Sequence, residues 1–161
     1  MEQHQSQVNQ HLNTSASHII RRKLYENGGK AIVYSLQGKA YEIRAEADDN
    51  AFTCDELPIK PPYEYRVFDI IVDLLERQGG KARKGMGRNF RLGEGHCTED
   101  TIVGAIGLYY AGKKPGESVY DPVFVLAAVL DWAGIAHNRR GYLELTASYQ
   151  AARQSERNST K

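Results

Sequence analysis

The residues whose types and spacing suggest chemistry are concentrated between positions 81 and 91, where the sequence reads KARKGMGRNFR. Five of these eleven residues are basic and none is acidic, and the two glycines let the backbone approach a ligand closely. Lys and Arg side chains neutralise the phosphates of a nucleic acid and release its counterions. The segment therefore predicts a phosphate-binding loop, in which Phe90 either stacks on a base or anchors the loop. A loop that is only solvated is the alternative.

Two basic pairs elsewhere in the sequence extend this prediction. Lys113-Lys114 precede Pro115-Gly116, and Arg139-Arg140 precede Gly141, while Arg21-Arg22-Lys23 is a further candidate. Each of these groups, taken alone, is also typical of plain surface. The predicted nucleic-acid-binding residues are Lys81, Arg83, Lys84, Arg88, Arg91, Lys113, Lys114, Arg139 and Arg140.

Cys97 suggests thiol chemistry, because it follows His96 just before a predicted helix N-terminus. That position lowers the pKa of a thiol and favours the thiolate. A catalytic cysteine also needs a base, and nothing in the sequence brings His137 close to it. We therefore expect a half-buried thiol in a loop, and no catalytic residue.

Metal and nucleotide sites are not supported by residue spacing. Cys54, His96, Cys97 and His137 lack the Cys-x-x-Cys or His-x-x-x-His spacing of a zinc site. The glycine-containing segments match neither the dinucleotide fingerprint nor the P-loop. The acidic stretch 46–56 lacks the Asp…Glu-x-Lys arrangement of a Mg²⁺-dependent nuclease, and predicts a solvated rim or a surface that docks against a basic partner. We expect no metal and no cofactor.

The composition limits the class of protein. The 161 residues carry a formal net charge of +1, so local clusters must provide any attraction to a polyanion. No apolar run is long enough to span a bilayer, and the polar N-terminus lacks the apolar region of a signal peptide. The two cysteines do not form a disulfide framework, although a single bridge between them stays open. We expect a cytoplasmic protein with free thiols and no membrane partner.

Two predicted blocks lie between polar tails. Residues 1–14 and 150–161 are rich in polar side chains, which predicts disorder. The first block covers residues 15–60 and the second covers residues 61–149. The proline-rich segment 58–62 joins them and cannot be helical.

The first block predicts a helix and a β-hairpin. The helix covers residues 15–27 and ends at Gly28-Gly29. The strands Ala31–Leu36 and Lys39–Ala45 are joined by the two-residue loop Gln37-Gly38. The strand prediction rests on larger apolar residues that alternate with smaller neighbours: Ile32, Tyr34, Leu36, Tyr41 and Ile43.

The second block predicts three helices and a last strand. The first helix, residues 63–78, has one apolar face made of Val67, Phe68, Ile71, Leu74 and Leu75. The second helix, residues 98–111, has Thr98 as its N-cap, and the third begins at Asp121-Pro122 and ends before Gly134. A polar turn, residues 137–141, precedes the strand, residues 142–146.

Two glycines, Gly104 and Gly107, lie inside the second predicted helix. Each lowers helix stability by up to roughly 1 kcal/mol relative to alanine, so a packing reason is expected. We expect close packing against the third helix around Ala127-Ala128.

The order helix, short basic segment, helix, turn, helix, polar loop, strand resembles that of a winged-helix domain. The resemblance rests on residues 130–135, LDWAGI, and residues 139–146, RRGYLELT, which look like the end of the third helix and the wing. It implies an Arg-Gly turn at the wing tip and a third helix that enters the major groove. The run 123–130, VFVLAAVL, is instead apolar on every side. That pattern predicts a buried helix and leaves DNA contact to the loops.

We therefore expect an α+β protein, with an N-terminal helix and β-hairpin block followed by a winged-helix-like block of three helices and a small β wing. The predicted function is a small regulator or accessory protein that contacts the phosphates of double-stranded DNA through basic glycine-containing loops. The alternative is a protein-interaction or assembly module, in which the acidic first block pairs with the basic second block within one chain or in a homo-oligomer. Only Cys97 and the carboxylates favour an enzyme.

Overall fold

The computed structural model describes residues 13–58 and 62–159, and these form five helices and two antiparallel sheets. This confirms the predicted α+β class. The helices are α1 (Ala16–Glu26), α2 (Arg66–Arg77), α3 (Ile102–Ala105, continued by a π-helical turn, Ile106–Tyr110), α4 (Val123–Trp132) and α5 (Ala147–Ser159). The strands are β1 (Lys30–Tyr34), β2 (Ala40–Ala45), β3 (Ala51–Thr53), β4 (Tyr63–Glu64), β5 (Lys81–Arg83), β6 (Ala136–Arg139) and β7 (Tyr142–Leu145). Within the described residues, no helix has the length and hydrophobicity needed to cross a membrane.

The first sheet has the strand order β1-β2-β3-β4 and draws its last strand from the second predicted block. Tyr63 pairs with Phe52 and Glu64 pairs with Ala51. The helix predicted over residues 63–78 therefore begins later, at Arg66. The acidic stretch 46–56, for which a solvated rim or a docking surface is predicted, contains the short strand β3.

The buried face of β1 carries its smaller side chains, and its larger side chains are exposed. Ile32 and Tyr34 are 45% and 61% exposed, whereas Ala31 and Val33 are buried. Ala31 lies opposite Ile43, and Val33 lies opposite Tyr41, so the two bulky residues of β2 decide which face enters the core.

The hairpin loop is one residue longer than predicted. The Ser35 amide donates to the Lys39 carbonyl at 2.9 Å, which leaves residues 36–38 as a three-residue loop. Gly38 takes a φ of 85°, the left-handed conformation that such loops require.

The second sheet has the strand order β5-β7-β6. Strand β5 begins the segment predicted to be a basic loop, and β6 occupies most of the predicted polar turn at 137–141. Both predictions of loop structure are wrong at these positions. The inward-facing side chains of these short strands are small or polar, so the sequence shows little of the apolar alternation that indicates a strand.

One hydrophobic core runs through both predicted blocks. Helix α1 packs on α2, and α4 packs against both β6 and β1. The rings of Phe124 on α4 and Tyr41 on β2 meet edge to face at 5.8 Å. The prediction that this apolar helix is buried is confirmed, since all but three of its residues are buried: Val123, Val125, Leu126, Ala127, Ala128, Val129 and Leu130.

Helix α3 starts three residues beyond the predicted helix, with Thr101 instead of Thr98 as its N-cap. The Thr101 hydroxyl accepts from the Gly104 amide at 3.1 Å and donates to the Thr98 carbonyl at 2.7 Å. A Cβ atom on Gly104 would lie 1.8 Å from that same carbonyl oxygen, and one on Gly107 would lie 2.8 Å from Val119. The two glycines therefore leave room for Thr98 and Val119, which lie in loops, and not for the predicted neighbours Ala127 and Ala128 on α4.

The segment 150–161, predicted to be disordered, is helical as far as Ser159. Tyr149 of α5 is buried, and its hydroxyl donates to the Thr14 carbonyl at 2.8 Å. The Thr14 amide in turn donates to Glu156 at 3.0 Å. Residues 1–14 are predicted to be disordered, and residues 1–12 of that segment lie outside the described residues.

Candidate nucleic-acid interface

The outer face of the second sheet brings together basic residues that are far apart in the sequence. Partners in an antiparallel pair project to the same side of the sheet. Arg83, Tyr142 and Arg139 form one row across β5, β7 and β6, and Lys81, Glu144 and His137 form the next row. We call these six residues the basic sheet face.

Small and apolar side chains on the inner side of the sheet explain why the charges point outward. Ala82, Leu143 and Asn138 form the row on the inner side, and all three are buried. The Asn138 amide N–H donates to Asp131 Oδ2 at 2.8 Å, which attaches β6 to the end of α4. Strand alternation then fixes Arg83 and Arg139 on the exposed side.

The charges on the basic sheet face are only partly neutralised. Arg139 Nε lies 3.9 Å from Glu144 Oε1, at the limit of an ion pair, and both side chains are about half exposed. Lys81 Nζ lies 5.0 Å from the centre of the Tyr142 ring, a cation–π contact. Within the described residues, Arg83 has no ion-pair partner. Three cations on the face therefore stand against one carboxylate.

The two-residue turn between β6 and β7 adds Arg140, which is exposed. The Gly141 carbonyl of this turn accepts from the Lys84 amide at 2.9 Å, so the turn lies beside the end of β5. Arg140 thus extends the positive charge beyond the edge of the sheet.

Lys84 does not join the surface charge as predicted. Its ammonium group donates to Asn138 Oδ1 at 2.6 Å, on the inner side of the sheet. Burial lowers the pKa of Lys84, and Asp121 opposes that effect. Because its charge is already bound inside the protein, Lys84 is not placed to contact a phosphate.

An open groove of about 650 Å³ adjoins the basic sheet face. Its lining includes Arg83, Met86, His96, Thr98 and Gly141. The wall of this groove is held by the Met86 amide, which donates to the His96 carbonyl at 2.8 Å.

Gly85 allows two backbone segments to pack closely in the wall of this groove. It has a φ of +76°, and a Cβ atom there would lie 2.5 Å from the His96 carbonyl oxygen. The close backbone approach predicted for a ligand is thus used within the protein, against the loop before α3.

The remaining predicted residues lie in loops outside the sheet. Arg88 is exposed, and Arg91 Nη1 donates to the Gly116 carbonyl at 3.2 Å. The Lys114 amide donates to Glu117 Oε1 at 2.6 Å, and Lys113 is half-buried. The structure brings four of the nine predicted residues together on the sheet and its turn: Lys81, Arg83, Arg139 and Arg140.

Phe90 anchors its loop. Its ring meets His96 edge to face at 5.1 Å, and a Cβ atom on Gly95 would lie 2.3 Å from it. Of the two alternatives for Phe90, the structure supports loop packing over base stacking.

Cys97 lies in a loop, as predicted, but it is not half-buried. The residue is fully buried, and burial raises the pKa of its thiol. The helix expected to lower that pKa begins only at Ile102. Within the described residues, no group of three or more His, Cys, Asp or Glu side chains is arranged to hold a metal ion.

Three residues of the basic sheet face, His137, Tyr142 and Glu144, were not predicted as site residues. The strand at YLEL was predicted, and the alternation in AHNR would have placed all three residues on one face once that segment was also read as a strand. Comparison of the chain with protein-family models, curated proteins and solved structures finds no match.

Proposed function

We propose that residues 66–146 form a winged-helix-like unit that binds double-stranded DNA through the basic sheet face and the Arg140 turn. The observation that carries the proposal is the row Arg83, Tyr142 and Arg139 across three strands, with Lys81 in the next row. The order helix, strand, helix, helix and β-hairpin supports the resemblance on which the fold prediction rests.

The contact would be made to phosphates. Arg83 and Arg140 lack an ion-pair partner among the described residues, and the Arg139 pair with Glu144 is loose. A DNA phosphate that approaches this face can therefore bind these guanidinium groups without breaking a tight internal pair. Each phosphate that is neutralised releases counterions, which provides a salt-dependent driving force.

The burial of α4 argues against sequence reading in the major groove. Its position in the chain corresponds to that of a recognition helix, but Phe124 packs on Tyr41 and seven of its ten residues are buried. Binding should therefore depend little on base sequence, because contacts to phosphates carry no sequence information directly.

A fluorescence anisotropy titration with a labelled duplex tests the proposal. We compare the wild type with a triple variant, Arg83→Gln, Arg139→Gln and Arg140→Gln, at several salt concentrations. The plot of log binding constant against log salt should become shallower by roughly 2 to 3, since each lost phosphate contact removes about 0.9. The affinity at low salt should fall by at least about tenfold, and a second duplex of unrelated sequence should bind the wild type equally well.

The matched control removes the same charge from the first block, with Arg22→Gln, Lys30→Gln and Lys39→Gln. All three positions are at the surface. Equal losses in the two triple variants would mean that overall charge, and not the basic sheet face, determines binding. A wild type that does not bind duplex DNA would refute the proposal.

An assembly module is the second candidate, and one observation favours it. Ile32, Tyr34 and Leu36 are exposed on or beside β1, which is an edge strand of the first sheet. Exposed apolar residues on an edge strand favour pairing with a second chain. Light scattering distinguishes the candidates, because a stable oligomer that is lost in Ile32→Lys would support assembly through this strand.

A further inference from the structure

A second cleft, which shares no residue with the basic sheet face, lies at the start of α1. It encloses about 330 Å³ and is lined mostly by polar side chains: Asn13, Ser15, Ser17, His18, Arg21, Asn50, Glu64, Tyr65 and Arg66. The Tyr65 amide donates to the Asn50 carbonyl at 3.0 Å, which holds the turn before β3 against the start of α2.

Two residues that line this cleft each carry a buried polar atom with no hydrogen-bond partner among the described residues. They are the hydroxyl oxygen of Tyr65 and Nε2 of His18. Tyr65 is only 4% exposed, and its ring packs on Phe52 at 5.3 Å. Leaving such a group unsatisfied lowers stability by roughly 1 to 3 kcal/mol, so two of them on residues that line one cleft indicate a missing partner.

Arg21 supplies positive charge at the same place. Within the described residues it makes no hydrogen bond or ion pair, although it is half-buried. The pKa of Tyr65 is raised to about 12 by burial and by Asp49, and Arg21 opposes that rise. Burial, with Arg22 and Arg21, lowers the pKa of His18 and favours its neutral form.

The other groups nearby are already engaged. Arg66 binds Glu64 at 2.6 Å and lies over the Tyr110 ring, so its position is fixed. The amides of Ser17 and His18 donate to Asp69 and Ser15, so the first turn of α1 offers few unused N–H groups. Side chains, and not the helix end, therefore provide the unsatisfied donors.

We propose that this cleft binds the oxyanion of a small molecule, a carboxylate or a phosphate group, between Arg21, the Tyr65 hydroxyl and His18 Nε2. The tyrosine hydroxyl and a neutral imidazole protonated at Nε2 each donate one hydrogen bond, and the guanidinium provides the opposite charge. The cleft holds only a small group, since its volume is at the lower end of the range for ligand sites.

The test measures the melting temperature and the His18 imidazole NMR signals during titration with inorganic phosphate, and separately with sodium acetate. Sodium chloride keeps the ionic strength constant. We expect one or both anions to raise the melting temperature and to shift the His18 signals, and the tighter of the two identifies the oxyanion class. Arg21→Gln should abolish both effects, whereas Lys30→Gln, which removes an exposed charge outside the cleft, should preserve them.

Tyr65→Phe provides a variant that should fold. Without anion its melting temperature should equal or exceed that of the wild type, because the lost hydroxyl has no partner. Its affinity for the anion should be about tenfold weaker. The proposal is overturned if neither anion affects the wild type, if Tyr65→Phe binds as tightly as the wild type, or if Tyr65→Phe is less stable without anion.

Discussion

Arg83 and Lys84 are neighbours in the sequence, yet their charges lie on opposite sides of the second sheet. Arg83 is exposed on the basic sheet face, whereas the Lys84 ammonium is bound to Asn138 on the inner side. Strand alternation, continued one residue beyond β5, accounts for this difference. A basic cluster in a sequence therefore becomes a binding surface only through the register of the strand that carries it.

Substitution of Gly104 by alanine distinguishes packing from helix propensity, because the two effects change the free energy of unfolding in opposite directions. In an open helix, Gly→Ala raises stability by up to about 1 kcal/mol. A Cβ atom here would lie 1.8 Å from the backbone oxygen of Thr98. Gly104→Ala should therefore lower the free energy of unfolding by about 2 kcal/mol or more, as measured by urea denaturation.

Gly28→Ala is the control for this substitution. Gly28 has a φ of +75° with no atom near the Cβ position, so alanine there carries only the conformational cost of about 1 to 2 kcal/mol. A Gly104→Ala variant that is as stable as the wild type would show that the Thr98 loop yields without cost.

The face of β1 shows what the sequence could predict at this scale and what it could not. Alternation identified the strand, and Tyr41 and Ile43 of β2 are buried. On β1, however, the larger Ile32 and Tyr34 are exposed. Size alone misleads here, because the buried face of β1 must fit opposite Tyr41 and Ile43, and the small residues Ala31 and Val33 do so.

At the scale of elements, α5 is held by contacts that its composition does not reveal. Arg153 donates two hydrogen bonds to Glu76 of α2, at 3.0 and 3.1 Å, and Arg157 donates a third at 3.0 Å. Burial would raise the pKa of Glu76, but its bonds to Arg153 and the charges of Arg153 and Arg157 outweigh that effect and lower it. A polar C-terminal segment thus folds because an acid on another helix pairs with it.

The lowered pKa of Glu76 makes this contribution depend on pH. A carboxylate with a depressed folded-state pKa stabilises the fold above about pH 5, and this stabilisation is lost as the pH falls through the folded-state pKa. Glu76→Gln should lower the free energy of unfolding by roughly 1 to 3 kcal/mol at pH 7. The difference from the wild type should shrink at pH 3, as measured by urea denaturation at both values.

Glu99→Gln is the matched control, because Glu99 is an exposed acid in a loop. It should change stability little at either pH. A Glu76→Gln variant that loses the same stability at pH 3 as at pH 7 would show that packing, and not charge, holds α5 to α2.

The short strands of the second sheet explain why the candidate site was only partly predicted. Strand β5 has three residues and β6 has four, and their inward residues Ala82, Ala136 and Asn138 are small or polar. Such segments lack the apolar alternation that identifies a strand. The basic residues could be recognised from the sequence, but their common face follows from pairing with β7, which is a long-range contact.

At the scale of the whole molecule, the first block determines how the second can act. The hairpin of β1 and β2 packs on α4, the helix that would be the recognition helix if the proposed winged-helix resemblance holds. The basic sheet face stays exposed. The proposed DNA contact would therefore be made by a sheet and a turn, which suits contact with phosphates more than reading of bases.

Mapping the proposed DNA contact by NMR is the most direct test of the proposed function. Backbone amide signals of the wild type are followed during titration with a duplex at low salt. We expect the largest shifts in β5, β6, β7 and the turn at residues 140–141, and little change in α4. Large shifts in α4 with an unperturbed second sheet would contradict the account, because they would mean that the hairpin releases this helix to read DNA.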